Sequence, residues 1–158
     1  MNIFYLDTNP KQCAELHCDK HVVKMILESA QLLSTAHHVL DKDLAPEGIY
    51  KSTHMNHPSA IWARSSDSNY NWLYVLWREL MSEYTFRYYK HHACEKLIIP
   101  LKRLPYNINK GPFVVPPKAM PDEYKVDDAV QSYINYYNGA KASFAKWTNR
   151  KVPEWFSL

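Results

Sequence analysis

The apolar positions between Cys18 and Leu40 follow helical spacing and cover most of the helix circumference. A helix that is apolar nearly all round belongs inside a protein core. We therefore expect this helix to be the central element of the fold. Its apolar residues are Val22, Val23, Met25, Ile26, Leu27, Leu32, Leu33, Ala36, Val39 and Leu40.

A narrow polar stripe interrupts this apolar surface. Its positions step by three and four residues, so its side chains share one face of the helix. Two interpretations are open: the stripe is the solvated face of an amphipathic helix, or it lines a cleft where titratable groups converge on a ligand. The stripe consists of His21, Lys24, Glu28, Gln31, Thr35 and His38, with His17 one turn earlier.

The rest of the pattern predicts a mainly α fold, a compact single-domain helical bundle over residues 1–158 with a short N-terminal strand at residues 2–6. Residues 101–124 are expected to form an extended proline-rich loop, because proline fixes φ and removes a backbone donor. Capping residues such as Asn9, which is followed by Pro10, mark the helix starts. Further helices are predicted over Lys11–His17, in a short segment capped by Ser59 that contains Ile61, Trp62 and Arg64, from Ser66, Asp67 or Ser68 to about Lys90, and from Ala129 to about Trp147 after a cap at Asp127 or Asp128.

Composition narrows the function classes. The net charge of +3 permits a polyanionic partner without demanding one. Three cysteines without a CxxC spacing favour a reduced protein, and no apolar run reaches the length of a membrane span. The first residues also lack the charge pattern of a signal peptide. We therefore expect a cytoplasmic monomer with no membrane partner.

The last predicted helix and the residues after it interleave aromatic and cationic side chains. Such a pattern suits stacking on bases and contact with phosphates. The alternative is a helix whose aromatic face packs in the core and whose basic end is solvated. The residues concerned are Tyr133, Tyr136, Tyr137, Lys141, Lys146, Trp147, Arg150 and Lys151.

Glu28 is the candidate for acid–base chemistry. Its apolar neighbours on the helix should partly desolvate the carboxylate and raise its pKa, whereas Lys24 should oppose that shift. Glu28 would then orient a water or stabilise a sugar cation. His21 and Lys24 are placed to hold a phosphate, and Lys24 is alternatively an amine nucleophile if burial removes its proton.

A histidine-ligated metal site is a further alternative. His17 and His21 stand at i and i+4, a spacing that a divalent ion accepts, and His38, His54 or His57 would complete the set. The chain contains no HExxH motif and the third ligand is unassigned. We therefore expect no metal and no other cofactor.

The motifs MNIFYLD, CDKHVVKM, NHP, MPDEYK and VPEWF resemble those of a family of small tailed-phage proteins. More distantly, the chain resembles the phage pyrimidine-dimer DNA glycosylases of the endonuclease V type. This resemblance implies a small all-helical enzyme in which His21 and Glu28 match an early-helix histidine and the catalytic glutamate seven residues later. It also implies that YINYYNG, residues 133–139, is a loose counterpart of a C-terminal segment that touches DNA.

The chain departs from those glycosylases at two places. Their nucleophile is the amine of a threonine exposed when the initiator methionine is removed, whereas this chain reads Met1-Asn2. A side chain as large as that of Asn2 is expected to keep Met1 in place. The glycosylases also have arginines beside the glutamate and three residues beyond it, where this chain has Leu27 and Gln31.

The resulting hypothesis is a phage protein that acts on DNA or a nucleotide, most concretely a DNA N-glycosylase in the cytoplasm of an infected host cell. The alternatives are a non-catalytic phage protein that binds a host protein or a nucleotide, and the histidine metal enzyme. The proposed catalytic residues are Glu28, Lys24 and His21. The proposed substrate-binding residues are Lys20, Gln31, His54, His57, Arg64, Tyr136, Tyr137, Lys146, Trp147 and Arg150.

Overall fold

A computed structural model of the chain describes residues 1–157 and confirms the mainly α prediction. The short 3₁₀ turns are Lys42–Leu44, Ala93–Leu97 and Asp122–Tyr124. No helix in the described range is long and apolar enough to cross a bilayer. The α-helices are α1 (Pro10–Leu16), α2 (Asp19–Asp41), α3 (Pro58–Ala63), α4 (Asp67–Tyr88), α5 (Ile98–Lys102) and α6 (Ala129–Asn138).

Helix α2 is the centre of the core, because it packs against both α3 and α4. Helix α1 packs against α4. The fully buried Trp77 of α4 marks this contact: its indole N–H donates to the carbonyl of Ile26 on α2 at 3.0 Å. Removing such large apolar side chains from water is the main favourable term in folding. The position of α2 therefore follows from the apolar surface that its sequence predicts.

Side-chain caps fix the starts of several helices. The side chains of Asn9, Ser66 and Asp128 each accept a backbone N–H in the first turn of α1, α4 and α6, which confirms those predicted starts. Helix α3 differs from the prediction, because His57 rather than Ser59 is its cap. The Nδ1 atom of His57 accepts the Ser59 N–H at 3.1 Å.

The predicted N-terminal strand is wrong: residues 2–6 belong to no strand in the structure of residues 1–157. Ile3, Phe4, Tyr5 and Leu6 are nearly fully buried among helices. A short apolar run without alternation fits a buried strand and a buried irregular segment equally well. With no second strand to pair with, this segment takes the irregular form.

The last helix is shorter than predicted, since α6 ends at Asn138 and not near Trp147. Gly139 follows, and a Cβ there would collide with the ring of Tyr124. The chain then turns back across the fold, where the Trp147 indole donates to the Leu16 carbonyl at 2.9 Å. These long-range contacts replace the helix that the local sequence favours.

The proline-rich segment is held against the helices instead of projecting from them. Its first residues belong to α5, which the sequence pattern did not predict. Further along, the buried Asp41 at the end of α2 accepts the backbone N–H of Tyr106 at 2.7 Å and that of Asn107 at 3.0 Å. The indole of Trp62 donates to the Val114 carbonyl at 2.8 Å. The segment thereby covers one side of the bundle.

Candidate active site

A cleft of about 630 Å³ opens beside α2. Its walls come from the N-terminus, one face of α2, the loop before α3 and the turn after α4. The lining residues are Met1, Val23, Lys24, Leu27, Glu28, Gln31, Tyr50, His54, His92, Ala93 and Cys94. The central part of the polar stripe therefore faces a concave surface, as the cleft interpretation requires.

Glu28 lies between two amines in this cleft. Its Oε1 is 3.8 Å from the α-amine nitrogen of Met1, and its Oε2 is 3.6 Å from Lys24 Nζ. The Glu28 side chain is only 14% exposed. One mostly buried carboxylate thus has a positive charge on each side, and few waters compete for it.

The side chains of the two residues that carry these amines differ in their access to solvent. Met1 is 6% exposed at its side chain, whereas the Lys24 side chain is 64% exposed. The Met1 side chain is therefore packed into the protein and holds the chain terminus beside Glu28, whereas Lys24 stands at the rim of the cleft.

His57, the cap of α3, lies close enough to the Met1 amine and to Glu28 for their charges to act on its ring. Because its Nδ1 accepts the Ser59 N–H, the neutral ring carries its proton on Nε2. Burial lowers the pKa of His57, and the positive charge of the Met1 amine lowers that pKa further. His54 lines the cleft, and its Nδ1 is 2.8 Å from the Thr53 hydroxyl oxygen.

The polar stripe divides into three parts with different partners, of which the histidines at its start, His17 and His21, lie in the core. Lys24, Glu28 and Gln31 line the cleft, whereas Thr35 and His38 hold the loop that follows α2. The interpretation of the stripe as a solvated helix face therefore does not fit, because these side chains face the cleft or bond to the loop. The distal part of the stripe is occupied by hydrogen bonds to the loop backbone.

His21 is placed in the core and not in the cleft. It is 3% exposed, stacks on Phe4 with ring centroids 4.0 Å apart, and has its Nδ1 2.7 Å from the Tyr137 hydroxyl. Burial lowers the pKa of His21 to about 2, with nearby positive charges adding to the effect. A neutral ring enclosed in this way joins α2 to α6 and does not reach a phosphate.

His17 is buried as well, and its Nδ1–H donates to the Cys13 carbonyl at 2.7 Å. Within residues 1–157, no three or more His, Cys, Asp or Glu side chains come together in a geometry suited to a metal ion. The described part of the chain therefore assembles no ligand set around the His17–His21 pair.

Several of the proposed substrate-binding residues have structural partners instead. Tyr137 and Trp147 are buried, and Arg150 is held by ion pairs to Glu83 and Glu15. The burial of Trp147 and the ion pairs of Arg150 follow from the return of the C-terminal segment across the fold. Arg64 ends α3 outside the cleft lining, half-buried.

The predicted residues Lys20, Tyr136 and Lys141 form a surface of cations and aromatic rings together with Phe144, which was not predicted. Lys20 Nζ lies 4.6 Å from the ring centre of Phe144, and Lys141 Nζ lies 4.8 Å from that of Tyr136. Lys20 also precedes Lys24 by one turn of α2, so this surface leads to the cleft rim. We name Lys20, Lys24, Tyr136, Lys141 and Phe144 the basic ridge. Lys146 is exposed in the same C-terminal segment.

Sequence reasoning missed Tyr50, His92 and Cys94. His92 and Cys94 reach the cleft because a 3₁₀ turn follows α4, and the His92 Nδ1 accepts the Cys94 N–H at 3.0 Å. No local pattern marks this turn. The nearby signal is the pair His91-His92 just after α4 ends at Tyr88, and such cationic side chains are equally typical of a helix C-terminus.

Fold and cleft together define a small all-helical protein with a sheltered carboxylate between two amines. A family model described as pyrimidine dimer DNA glycosylase matches residues 1–96, and the chain belongs to this family. All the residues that line the cleft fall within that range. No curated protein and no solved structure matches the chain.

Proposed function

We propose that this protein is a DNA N-glycosylase that removes a damaged base, with Glu28 as its catalytic carboxylate. The observation that carries the proposal is the position of Glu28, mostly buried in a cleft between the Met1 amine and Lys24. Family membership supports DNA as the substrate.

In the proposed reaction, the Met1 amine attacks C1′ of the damaged nucleotide. The glycosidic C–N bond breaks, its electron pair leaves with the base, and the proton lost by the attacking nitrogen neutralises the departing base. Glu28 stabilises the positive charge that develops on the sugar. Met1 is favoured over Lys24 as the nucleophile because its packed side chain holds the terminal amine beside Glu28, whereas the Lys24 side chain is 64% exposed.

Phosphate contacts are assigned to the basic ridge. Lys20 and Lys24 stand one turn apart on α2, and Lys141 lies over the aromatic rings beside them. Cations on such a surface neutralise phosphates, and neighbouring aromatic rings offer a place for bases to stack. Gln31 and His54 are assigned to the edge of the base inside the cleft. The tailed-phage motifs support a place of action in the cytoplasm of an infected host cell.

The test is abasic-site formation on ultraviolet-irradiated duplex DNA by the purified protein. Glu28→Gln should lower the single-turnover rate by about 10²- to 10⁴-fold, with an unchanged melting temperature. Glu47→Gln, which alters an exposed carboxylate outside the cleft, is the matched control. A full rate in the Glu28 variant contradicts the proposal. Absence of any activity in the unaltered protein favours binding of a host protein instead.

Borohydride reduction identifies the nucleophile. An imine between enzyme and sugar is trapped as a covalent adduct, and peptide mapping locates it on the amino terminus or on Lys24. The mass of the intact protein first establishes which residue carries the free amine. An active enzyme that gives no adduct would use water as its nucleophile.

A further inference from the structure

The loop that carries Tyr50 is fixed to α2 at two positions, Tyr50 and Thr53. The Tyr50 N–H donates to Ser34 Oγ at 3.2 Å, and His38 Nε2 donates to the Tyr50 carbonyl at 2.9 Å. Three residues later, Thr35 Oγ1 accepts the Thr53 N–H at 3.1 Å and approaches the Thr53 carbonyl at 3.3 Å. The backbone of this loop is therefore set before any ligand arrives.

The side chain of Tyr50 is fixed as well. Its hydroxyl shares a hydrogen bond of 3.3 Å with Cys94 Sγ in the 3₁₀ turn Ala93–Leu97, and Cys94 is 1% exposed. Burial raises the pKa of Tyr50 to about 12, so the hydroxyl is neutral at ordinary pH. A half-buried aromatic side chain thus lines the cleft with its polar end already bonded to protein.

Helix α2 supplies an apolar wall to the same cleft. Val23 and Leu27 line it, although their side chains are 41% and 42% exposed. Exposed branched apolar side chains beside a catalytic carboxylate are suited to a ligand that covers them. Gln31 and His54 are among the polar groups that line the same cleft. Apolar faces with a few polar groups at the edge fit a flat heteroaromatic ring.

We propose that Tyr50 is the stacking platform for a base that is turned out of the duplex, and that Leu27 covers the opposite face of that base. Tyr50 is then the residue that distinguishes a damaged from an intact site. This inference rests on the proposed glycosylase function. Because the loop is ordered in advance, little conformational freedom is lost when the base enters.

Binding is measured in the inactive Glu28→Gln background, so that the DNA stays intact. The probes are two duplexes of one sequence, irradiated and not irradiated. Tyr50→Leu should weaken binding to the irradiated duplex by roughly 5- to 150-fold, the effect of losing one base–aromatic stack. Binding to the intact duplex should change little, because phosphate contacts on the basic ridge dominate it.

Two variants keep this test specific. Tyr50→Phe retains the ring and should restore most of the selectivity, whereas Tyr106→Leu, on an exposed tyrosine outside the cleft, should leave it unchanged. Thermal unfolding verifies that each variant is folded. The stacking role is overturned if Tyr50→Leu discriminates between irradiated and intact duplex as well as the unaltered Tyr50 protein does. It is also overturned if Tyr50→Phe loses as much of this selectivity as Tyr50→Leu. Abasic-site formation by the unaltered protein is scored separately, so this failure is distinguishable from failure of the glycosylase proposal.

Discussion

Arg87 and Glu83, one turn apart on α4, form an ion pair with Nη2 and Oε2 2.9 Å apart and with side chains that are 0% and 3% exposed. The same arginine contacts Asp19 at the start of α2, at 3.0 Å. The same glutamate is 2.8 Å from Arg150 in the C-terminal segment. Two helices and the returning chain are therefore joined through one buried group of charges.

Removing one charge from this group should destabilise the fold strongly. Glu83→Gln keeps the shape of the side chain and leaves Arg87 without its nearest carboxylate, which should lower the free energy of unfolding by about 3–5 kcal/mol. Urea unfolding measures the change. Glu154→Gln, at a side chain that is 90% exposed, is the control and should shift stability by less than about 0.5 kcal/mol. Similar midpoints for both variants would contradict the prediction.

Stability should fall as the pH drops below about 6.5. Burial is the main cause that lowers the pKa of His17 to about 4, of His21 to about 2 and of His37 to about 4. The unfolded chain then binds protons that the folded protein excludes, so their stabilisation is complete above pH 6.5 and is lost as the pH falls towards the folded values. Each histidine contributes up to about 1.4 kcal/mol per pH unit.

Urea unfolding at pH 7.5, 6 and 5 measures this slope. His37→Gln removes one of the titrating rings. The free energy of unfolding should then depend less steeply on pH, by about the contribution of one histidine. A slope that is the same in the variant and the unaltered protein would exclude His37 as a contributor.

The basic ridge should control the salt dependence of DNA binding. Lys20→Ala and Lys141→Ala should each weaken binding to any duplex and reduce the slope of log K against log salt by about 0.9. Lys110→Ala, on the proline-rich segment, is the matched control and should leave the slope unchanged. Fluorescence anisotropy between 50 and 200 mM salt, about the range over which such slopes are read, supplies the measurement.

Asp41 should hold the proline-rich segment in place. Asp41→Ala leaves the backbone donors of Tyr106 and Asn107 without their acceptor, which should lower stability by about 1–3 kcal/mol. Hydrogen exchange should become faster at those two amides. Unchanged exchange there would show that the prolines alone hold the segment.

Local sequence signals were sufficient for α1, α2 and α4. The caps at Asn9 and Ser66 and the apolar surface of α2 depend only on neighbouring residues, and the structure has these elements where the pattern predicts them. The end of α6 could not be predicted in this way. Residues beyond Gly139 are favourable for a helix, yet Trp147 and Asp19 draw the chain into long-range contacts.

The candidate site shows the same distinction. Spacing on one helix placed Glu28, Lys24 and Gln31 together, because helical geometry is local. Spacing also assigned His21 to the site. Its partner in the core, Tyr137, is 116 positions away in the sequence, so this contact could not be predicted from local spacing. Tyr50 and Cys94 meet only after folding, so no single-sequence pattern marks them.

Helix α2 carries Glu28 and also the hydroxyl of Thr35 that fixes the loop opposite it. Seven residues of helix separate the two, a distance of roughly 10 Å along the axis. The helix therefore fixes the spacing between the Glu28 carboxylate and the loop that Thr35 holds. Under the proposed function, this spacing is set before a base enters the cleft.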